Sequence, residues 1–385
     1  MHILVLIRQP YLDKIPSLKT LLWYLSQKSY QVTVISSSEY KYPSPTFDNN
    51  NIKFIFVKKR SKKIELPTTI KLGWEFIKYS LSQKPIYCIG GDTFGNILLS
   101  TLNKVFGFKH IYFLLEYPQI ITEKHDRLSK TDRKEWKVLQ KAFLVITHDD
   151  FHKKFLTDEI KLNANKILTL PNATFTEIVD YTSKTLRELF GISVNKKIIL
   201  HSGGLGAWFR CKELAESTKN WPDDTVLIFH TSHDVSGDNY FETLRNTYYN
   251  DKVFFSIKPV PTFELDSLVC SANIGIALYS VKLLEYRAEF MGFAAGKIGN
   301  YLKCGLPVIA TKLFSFTYLE NYHCGILINS EDEISDAINI ITKNYEEYSK
   351  NARVCYQALW YPEKFVNEII RVMEDKTSFY PSRIL

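Results

Sequence analysis

The stretch GFAAGKIGNYLKCGLPVIAT (Gly292–Thr311) reads as loop, helix, turn and strand. Its helix opens on Gly296 and Lys297 and carries Asn300 three residues later, on the same face. Backbone N–H groups, a cation and an amide therefore gather at one helix end. A helix start already carries positive partial charge, so a lysine there is unfavourable unless an anion accompanies it. The layout points to anion chemistry. Metal chemistry has weaker support. His230 and His233 lie three apart but lack a third ligand of convincing spacing, and no HxE or DxD cluster stands out. The six cysteines, Cys88, Cys211, Cys270, Cys304, Cys324 and Cys355, form no CxxC pair. They read as buried free thiols in a reducing compartment.

These residues need a scaffold, and the chain alternates strand and helix patterns. Apolar runs at His2–Ile7, Gln31–Ser36, Ile52–Val57, Pro85–Gly91, His110–Glu116, Ala142–His148 and Lys166–Asn172 predict strands. Between them, Ile15, Leu18, Leu21, Leu22 and Leu25 share a helical face. Further helices are predicted over Ile70–Ser82, Asn96–Phe106 and Arg127–Lys141. The pattern restarts at KKIILHSGG (Lys196–Gly204), with TVLIFH, KVFFSI, IGIALY, LPVIAT and GILIN as later strands. Helices follow from Glu331, and Pro362–Glu374 forms an amphipathic last one. The polar segment Phe175–Asn195 carries little strand signal and marks a domain crossing. The expected class is α/β, with two Rossmann-like domains facing across a cleft, over residues 1–175 and 176–360. Residues 361–385 form a terminal helix and tail.

Bulk properties narrow the classes. The chain has 385 residues, 45% hydrophobic and 23% charged, a globular composition long enough for two cores. No apolar run reaches bilayer-spanning length, and the start lacks a signal-peptide pattern, so a cytoplasmic location is expected. The net charge of +8 is uneven: residues 1–180 carry 27 Lys/Arg against 17 Asp/Glu, the remainder 22 against 24. The densest patch is KKRSKK (Lys58–Lys63), either a solvated loop or a contact for an anionic surface such as the inner leaflet of a membrane. Nothing beside that charge resembles a nucleic-acid-binding motif. A G-x-G-x-x-G fingerprint is absent. The nearest candidate, GGLGAWF, has Phe209 where the third small residue belongs, which argues against a nicotinamide enzyme.

The second half resembles the donor domain of GT-B glycosyltransferases, in particular retaining family 4. LHSGGLGAWFRCKELAES (Leu200–Ser217) resembles that family's strand, Gly-Gly-Leu loop and Arg-bearing helix start. VFFSIKPVPTFELDSLVCSANIGIALYS (Val253–Ser280) resembles its base-binding segment, AGKIGNYLKCGLPVIAT its Lys-bearing donor helix, and LPNAT (Leu170–Thr174) the end of its N-terminal domain. The resemblance implies a nucleotide-sugar donor, UDP- or GDP-linked, with no further cofactor; with no HxE or DxD cluster standing out, metal independence is expected. It also implies a last helix crossing back to the first domain. Gly203 and Gly204 would then let the backbone approach the diphosphate, and Arg210 would fork its oxygens. Lys297 would add a point charge to the leaving group, and Asn300 would reach ribose hydroxyls. Val260, Glu289 and Ile298 complete the donor-binding set. Lys212 reads as solvated. The plainer readings are turn glycines, an ion-paired or surface Arg210, an exposed first-turn Lys297 and a packing amide at Asn300. Both Arg210 and Lys297 are expected to be exposed, so that alanine variants keep the fold.

Two departures from the family stand out. Asn300 occupies the place of the usual ribose-binding Glu, and Gly292 that of the Glu eight positions earlier. Glu289 is the closest acid. The first strand is followed by Arg8-Gln9-Pro10-Tyr11-Leu12-Asp13 rather than a Gly-rich loop. Retaining members are thought to react by front-face displacement, the departing phosphate helping to deprotonate the acceptor. Residues at the carboxyl ends of first-domain strands are then candidate contacts. Glu116 is preferred near the reacting atoms, with Asp92 and His148 on the acceptor side. The expected activity is sugar transfer to a hydroxyl of a polysaccharide, glycolipid or small metabolite. Two alternatives share the architecture: a nucleotide-sugar epimerase and a non-catalytic nucleotide-binding protein.

Overall fold

The computed structural model describes residues 1–10, 12–38, 47, 49–58, 67–122, 126–174, 176–260 and 262–375. The basic run at Lys58–Lys63 lies outside the described residues from position 59 onward, as does Tyr11. The first elements in chain order are β1 (His2–Ile7), α1 (Pro16–Gln27), β2 (Gln31–Ser38), β3 (Ile52–Lys58), α2 (Thr68–Gln83) and β4 (Tyr87–Gly90). They continue with α3 (Thr93–Phe106), β5 (Lys109–Phe113), α4 (Lys130–Lys141), β6 (Leu144–Thr147), α5 (Asp150–Asp158) and β7 (Ile167–Thr169). Then come α6 (Thr185–Phe190), β8 (Lys197–Ser202), α7 (Cys211–Ser217), β9 (Thr225–His230), α8 (Asn239–Tyr248), β10 (Val253–Ser256), α9 (Thr262–Val269) and β11 (Ile274–Ala277). The chain closes with α10 (Val281–Leu284), α11 (Tyr286–Glu289), α12 (Gly296–Lys303), β12 (Val308–Thr311), α13 (Tyr318–Asn321) and β13 (Gly325–Ile328). Last are α14 (Ile334–Lys343), α15 (Tyr345–Cys355) and α16 (Glu363–Glu374).

Two compact units result. One comprises Met1–Phe175 with Pro362–Leu385, the other Thr176–Tyr361. Among the described residues, the first unit holds a parallel sheet in the order β3-β2-β1-β4-β5-β6-β7 and the second a parallel sheet in the order β10-β9-β8-β11-β12-β13. Helices cover both faces, so the strands read as unbroken apolar runs rather than alternating ones. β4, β6, β9 and β11 are buried at every position. In each sheet the strand order reverses once beside the unit's first strand, between β1 and β4 and between β8 and β11. Ligands of such sheets bind outside the carboxyl ends at those switch points.

Caps set the helix starts. α3 begins three residues before the expected Asn96 because the Asp92 side chain accepts the Gly95 N–H at 2.6 Å. α4 begins at Lys130 because Ser129 and Asp132 form a reciprocal capping box. The expected stripe of α1 is buried, Leu18, Leu21, Leu22 and Leu25 entering the first core. α16 joins that core. Its Val366, Ile369, Ile370 and Met373 are buried with α1, the Tyr87 hydroxyl donates to the Met373 carbonyl, and Tyr30 donates to Glu374 at 2.6 Å. The chain thus returns to its first unit. Each fully buried apolar side chain contributes roughly 1.5–3 kcal/mol, enough to hold a 12-residue helix in place. All six cysteines are free and buried. No described helix is long and apolar enough to cross a membrane.

Candidate functional site

At the switch point of the second sheet, three segments converge: the loop after β8, the end of β11 and the first turn of α12. Gly203 continues from Ser202 with φ +140°, a conformation that side chains rarely adopt. A Cβ there would meet Lys297 Cε at 3.4 Å and Nζ at 3.5 Å. Lys297 therefore reaches back from α12 to the glycine loop. Gly204 is held equally closely, since a Cβ would lie 2.8 Å from the Phe209 ring.

The Lys297 ammonium is shielded from solvent and has no hydrogen-bond partner. Two aromatic rings cradle it, Phe209 with its centroid at 4.2 Å and Tyr279 at 5.4 Å. Desolvation drives its pKa down to about 8, because burial disfavours the charged form. Ring faces attract a cation but do not neutralise it. The N-cap of α12, Ala295, offers no side-chain cap, so the helix start adds no counter-charge. The expectation that Lys297 is exposed is thus corrected: packing under Phe209 and Tyr279 covers it.

Three further residues hold this arrangement. His201, buried at the end of β8, has Nε2 3.0 Å from the Gly204 carbonyl. Burial, reinforced by the Lys297 charge, keeps its imidazole neutral, so we assign the proton to Nε2, which donates to that carbonyl. Cys211 lies 3.9 Å from the same nitrogen and accepts the Gly206 N–H at 3.5 Å. Burial pushes its thiol up to about 11. Tyr301, one turn beyond Lys297 and fully buried, accepts the Ser202 N–H at 2.7 Å. α12 is thereby tied to the loop it faces. His201, Tyr279 and Tyr301 are not among the residues expected from the sequence. Their signals were a polar residue breaking the apolar run KIILH, an aromatic closing IGIALY, and a tyrosine four residues after Lys297.

The other expected donor residues divide. Arg210 stands at the start of α7 with φ +50°, and its guanidinium grips Glu331 with both arms, Nε on Oε1 and Nη2 on Oε2, the latter at 2.6 Å. The fork expected to hold phosphate is filled by a carboxylate of its own unit. Asn300 is half-buried on α12, and Val260 is half-buried after β10. Glu289 is exposed on α11. Ile298 is fully buried, and its N–H donates to Ala295 at 2.8 Å, so its side chain belongs to the core. Lys212 is exposed and sits 3.8 Å from Glu216.

In the first unit, two of the expected contacts, Asp92 and His148, have hydrogen-bond partners within the chain. Asp92 closes the switch point between β1 and β4. One carboxylate oxygen accepts the Gly95 N–H, the other the Gln9 N–H at 2.9 Å. Burial raises its pKa while these amides pull it down. His148 is buried between two carbonyls, Nδ1 3.3 Å from Leu170 and Nε2 3.2 Å from Leu115. Desolvation drives it down to about 4. Next to it, Asp149 caps α5 and contacts His152 at 2.9 Å, and Tyr117 stacks on that ring at 4.0 Å. Asp92 and His148 are thus turned inward by cap and carbonyl contacts. Glu116 is exposed in the loop after β5.

The fold has counterparts. Residues 268–369 match the C-terminal domain of the glucosyltransferase 3-like family, a span that includes α12 and Lys297. No curated protein matches the chain in sequence. Among solved structures, sucrose-phosphate synthase from Thermosynechococcus elongatus is similar with a TM-score of 0.74 and 15% identity, over 97% of this chain and 98% of that one. HepE from Anabaena in complex with UDP-glucose gives a TM-score of 0.73 and 14% identity, over 97% and 99%. The α,α-trehalose 6-phosphate synthase from Burkholderia multivorans gives 0.63 and 11%, over 97% of both chains. The chain has the GT-B fold. In this GT-B chain, the family match falls on the half that carries the shielded cation.

Proposed function

We propose that the chain transfers a sugar from a nucleoside-diphosphate sugar to an acceptor hydroxyl, releasing the nucleoside diphosphate, with the second unit holding the donor. The observation that carries this reading is the Lys297 ammonium, shielded and unpartnered beside the Gly203 loop. A buried cation without an anion is costly, and the deficit is removed when a ligand supplies the negative charge. A diphosphate does so, and its charge grows as the glycosidic bond breaks, so Lys297 acts more strongly in the transition state than in the ground state. The start of α12 adds N–H dipoles of the same sign.

UDP is the nucleotide favoured by the likeness to HepE, solved with UDP-glucose. Asn300 can donate to and accept from ribose hydroxyls, and Val260 can flank the base. Retention follows the family 4 resemblance: the sugar leaves and the acceptor arrives on one face, and the departing phosphate takes the acceptor proton. Glu116, exposed after β5, is the first-unit contact for the acceptor, which is a carbohydrate, a lipid-linked sugar or a small metabolite. Calorimetric titration with UDP, GDP and UDP-glucose tests the donor site, and micromolar UDP binding that weakens roughly 10- to 100-fold in Lys297→Met is the expected result. Wild-type protein that binds no nucleotide would overturn the reading. With an acceptor identified, the anomeric proton coupling of the product reports retention.

A further inference from the structure

Helices α2 and α3 lie side by side on one face of the first sheet, Gly73 of α2 facing Leu98 of α3. Leu72, Phe76 and Leu99 carry their inner faces into the core. The outer faces are apolar where a solvated helix pair is normally polar. Ile70, Trp74 and Leu81 form one stripe along α2, Trp74 59% and Leu81 69% exposed. Phe94 and Val105, the latter 80% exposed, extend the patch onto α3. Large apolar side chains grouped in this way mark an interaction surface rather than the scattered exposure of an ordinary one.

The border of the patch is cationic. Lys71 and Lys78 flank the stripe on α2, Lys84 follows that helix, and Lys104 lies on α3. α3 has no acidic residue, and Glu75, the acid of α2, is paired with Lys78 at 2.8 Å. The Lys78 ammonium lies 5.8 Å from the Trp74 ring. A second copy placed on this face would bring like charges together, in the half of the sequence that already carries the excess of lysine and arginine. An anionic sheet would not.

We infer that the α2–α3 face docks on an anionic lipid bilayer, Trp74, Leu81 and Val105 entering the headgroup boundary while the lysines reach lipid phosphates. Tryptophan suits that depth, and lysine stems can lie along apolar surface with the ammonium in the headgroup layer. Each basic group near such a surface adds to the attraction, which weakens with salt. The docking face shares no residue with the donor site, so either can fail alone.

Co-sedimentation of the full chain with liposomes tests the assignment. Phosphatidylcholine vesicles containing phosphatidylglycerol should bind it, and phosphatidylcholine alone should bind it far less. The double variant Trp74→Gln, Leu81→Gln should lose binding by about tenfold or more, with Tm and UDP affinity unchanged. Lys78→Glu with Lys104→Glu should lose it too, most clearly at low salt. No sedimentation with anionic vesicles, or equal sedimentation of the variants, would overturn the assignment. So would a dimer in size-exclusion chromatography that Trp74→Gln, Leu81→Gln dissociates, because the face would then belong to a second copy.

Discussion

The two units share a fold and use its switch point in opposite ways. Between β1 and β4, the Asp92 carboxylate accepts backbone N–H groups from both flanking segments, so the polar opening is closed from within. Between β8 and β11, the equivalent opening faces Lys297, whose ammonium has no partner. Buried charge is costly wherever it sits. In the first unit the chain supplies the compensation, and in the second it does not. The lesson concerns how polar residues at a sheet's carboxyl end are read: the residue type matters less than whether its partner lies within the chain.

Lys297→Met gives the largest expected effect and tests the contrast directly. Methionine keeps the stem under Phe209 and Tyr279 and removes the charge. UDP affinity should fall roughly 10- to 100-fold, since charged hydrogen bonds contribute about 1.5–3 kcal/mol. Stability without ligand should move the other way, rising by about 1–3 kcal/mol. The sign follows from linkage. The lysine pKa is lowered from 10.5 to about 8, so the unfolded chain binds more protons between these values and wild-type stability climbs with pH across that window. The variant should lack that climb. Loss of stability together with loss of binding would make Lys297 a packing residue.

Arg210 tests the contrast inside the second unit. Its bidentate pair with Glu331 makes it resemble the self-satisfied groups of the first. Arg210→Ala and Glu331→Ala should each cost about 1–2 kcal/mol, discounted for partial exposure, and the double variant should cost less than their sum. UDP affinity should fall by less than for Lys297→Met. If Arg210→Ala abolished binding while Glu331→Ala left stability intact, Glu331 would be a placeholder for phosphate and the contrast would break.

Much of this scaffold was legible in the sequence. Parallel strands buried on both faces give apolar runs without alternation, and amphipathic spacing marked the helix that became α1. Lys297 was legible because a cation on a helix start is locally anomalous. The intrachain partners of the other candidates were not. Asp92, His148 and Arg210 have the residue types of a site, and only tertiary structure says that their partners are Gln9, Leu115 and Glu331, 83, 33 and 121 positions away in sequence. His201 escaped for the same reason in reverse. Its role depends on the Gly204 carbonyl that the folded loop turns towards it. The starts of α3 and α4 were misplaced by three residues in opposite directions: the expected start of α3 falls after its Asp92 cap, and that of α4 before its Ser129 cap, because the caps and not the apolar pattern set them.

Asp92→Ala sharpens the first-unit side of the comparison. It removes a cap and leaves the Gln9 N–H without its acceptor, so the loss should be about 1–2 kcal/mol in chemical denaturation. UDP affinity should stay at the wild-type value. A variant of normal stability with a raised acceptor KM would show that the carboxylate faces substrate, and the first switch point would be open after all.

His148→Gln is the smallest effect at neutral pH and the most informative at acid pH. His148 is driven down to about 4 by burial, as His110 and His230 are. Between the ordinary histidine pKa of about 6.5 and that value, the unfolded chain binds protons that the folded chain refuses. Stability should therefore fall as pH drops through this window, with these three histidines and the buried His201 contributing. Replacing His148 removes one contribution, so the variant's Tm should decline less steeply below pH 6.5 while its activity at pH 7 stays close to wild type. Both ring nitrogens face carbonyls, and a neutral ring can donate to one of them, so glutamine's amide can take over that single bond. Should transfer collapse in a variant whose Tm and acid profile match wild type, His148 would be reaching the acceptor, and the first unit would have a charge-handling site of its own.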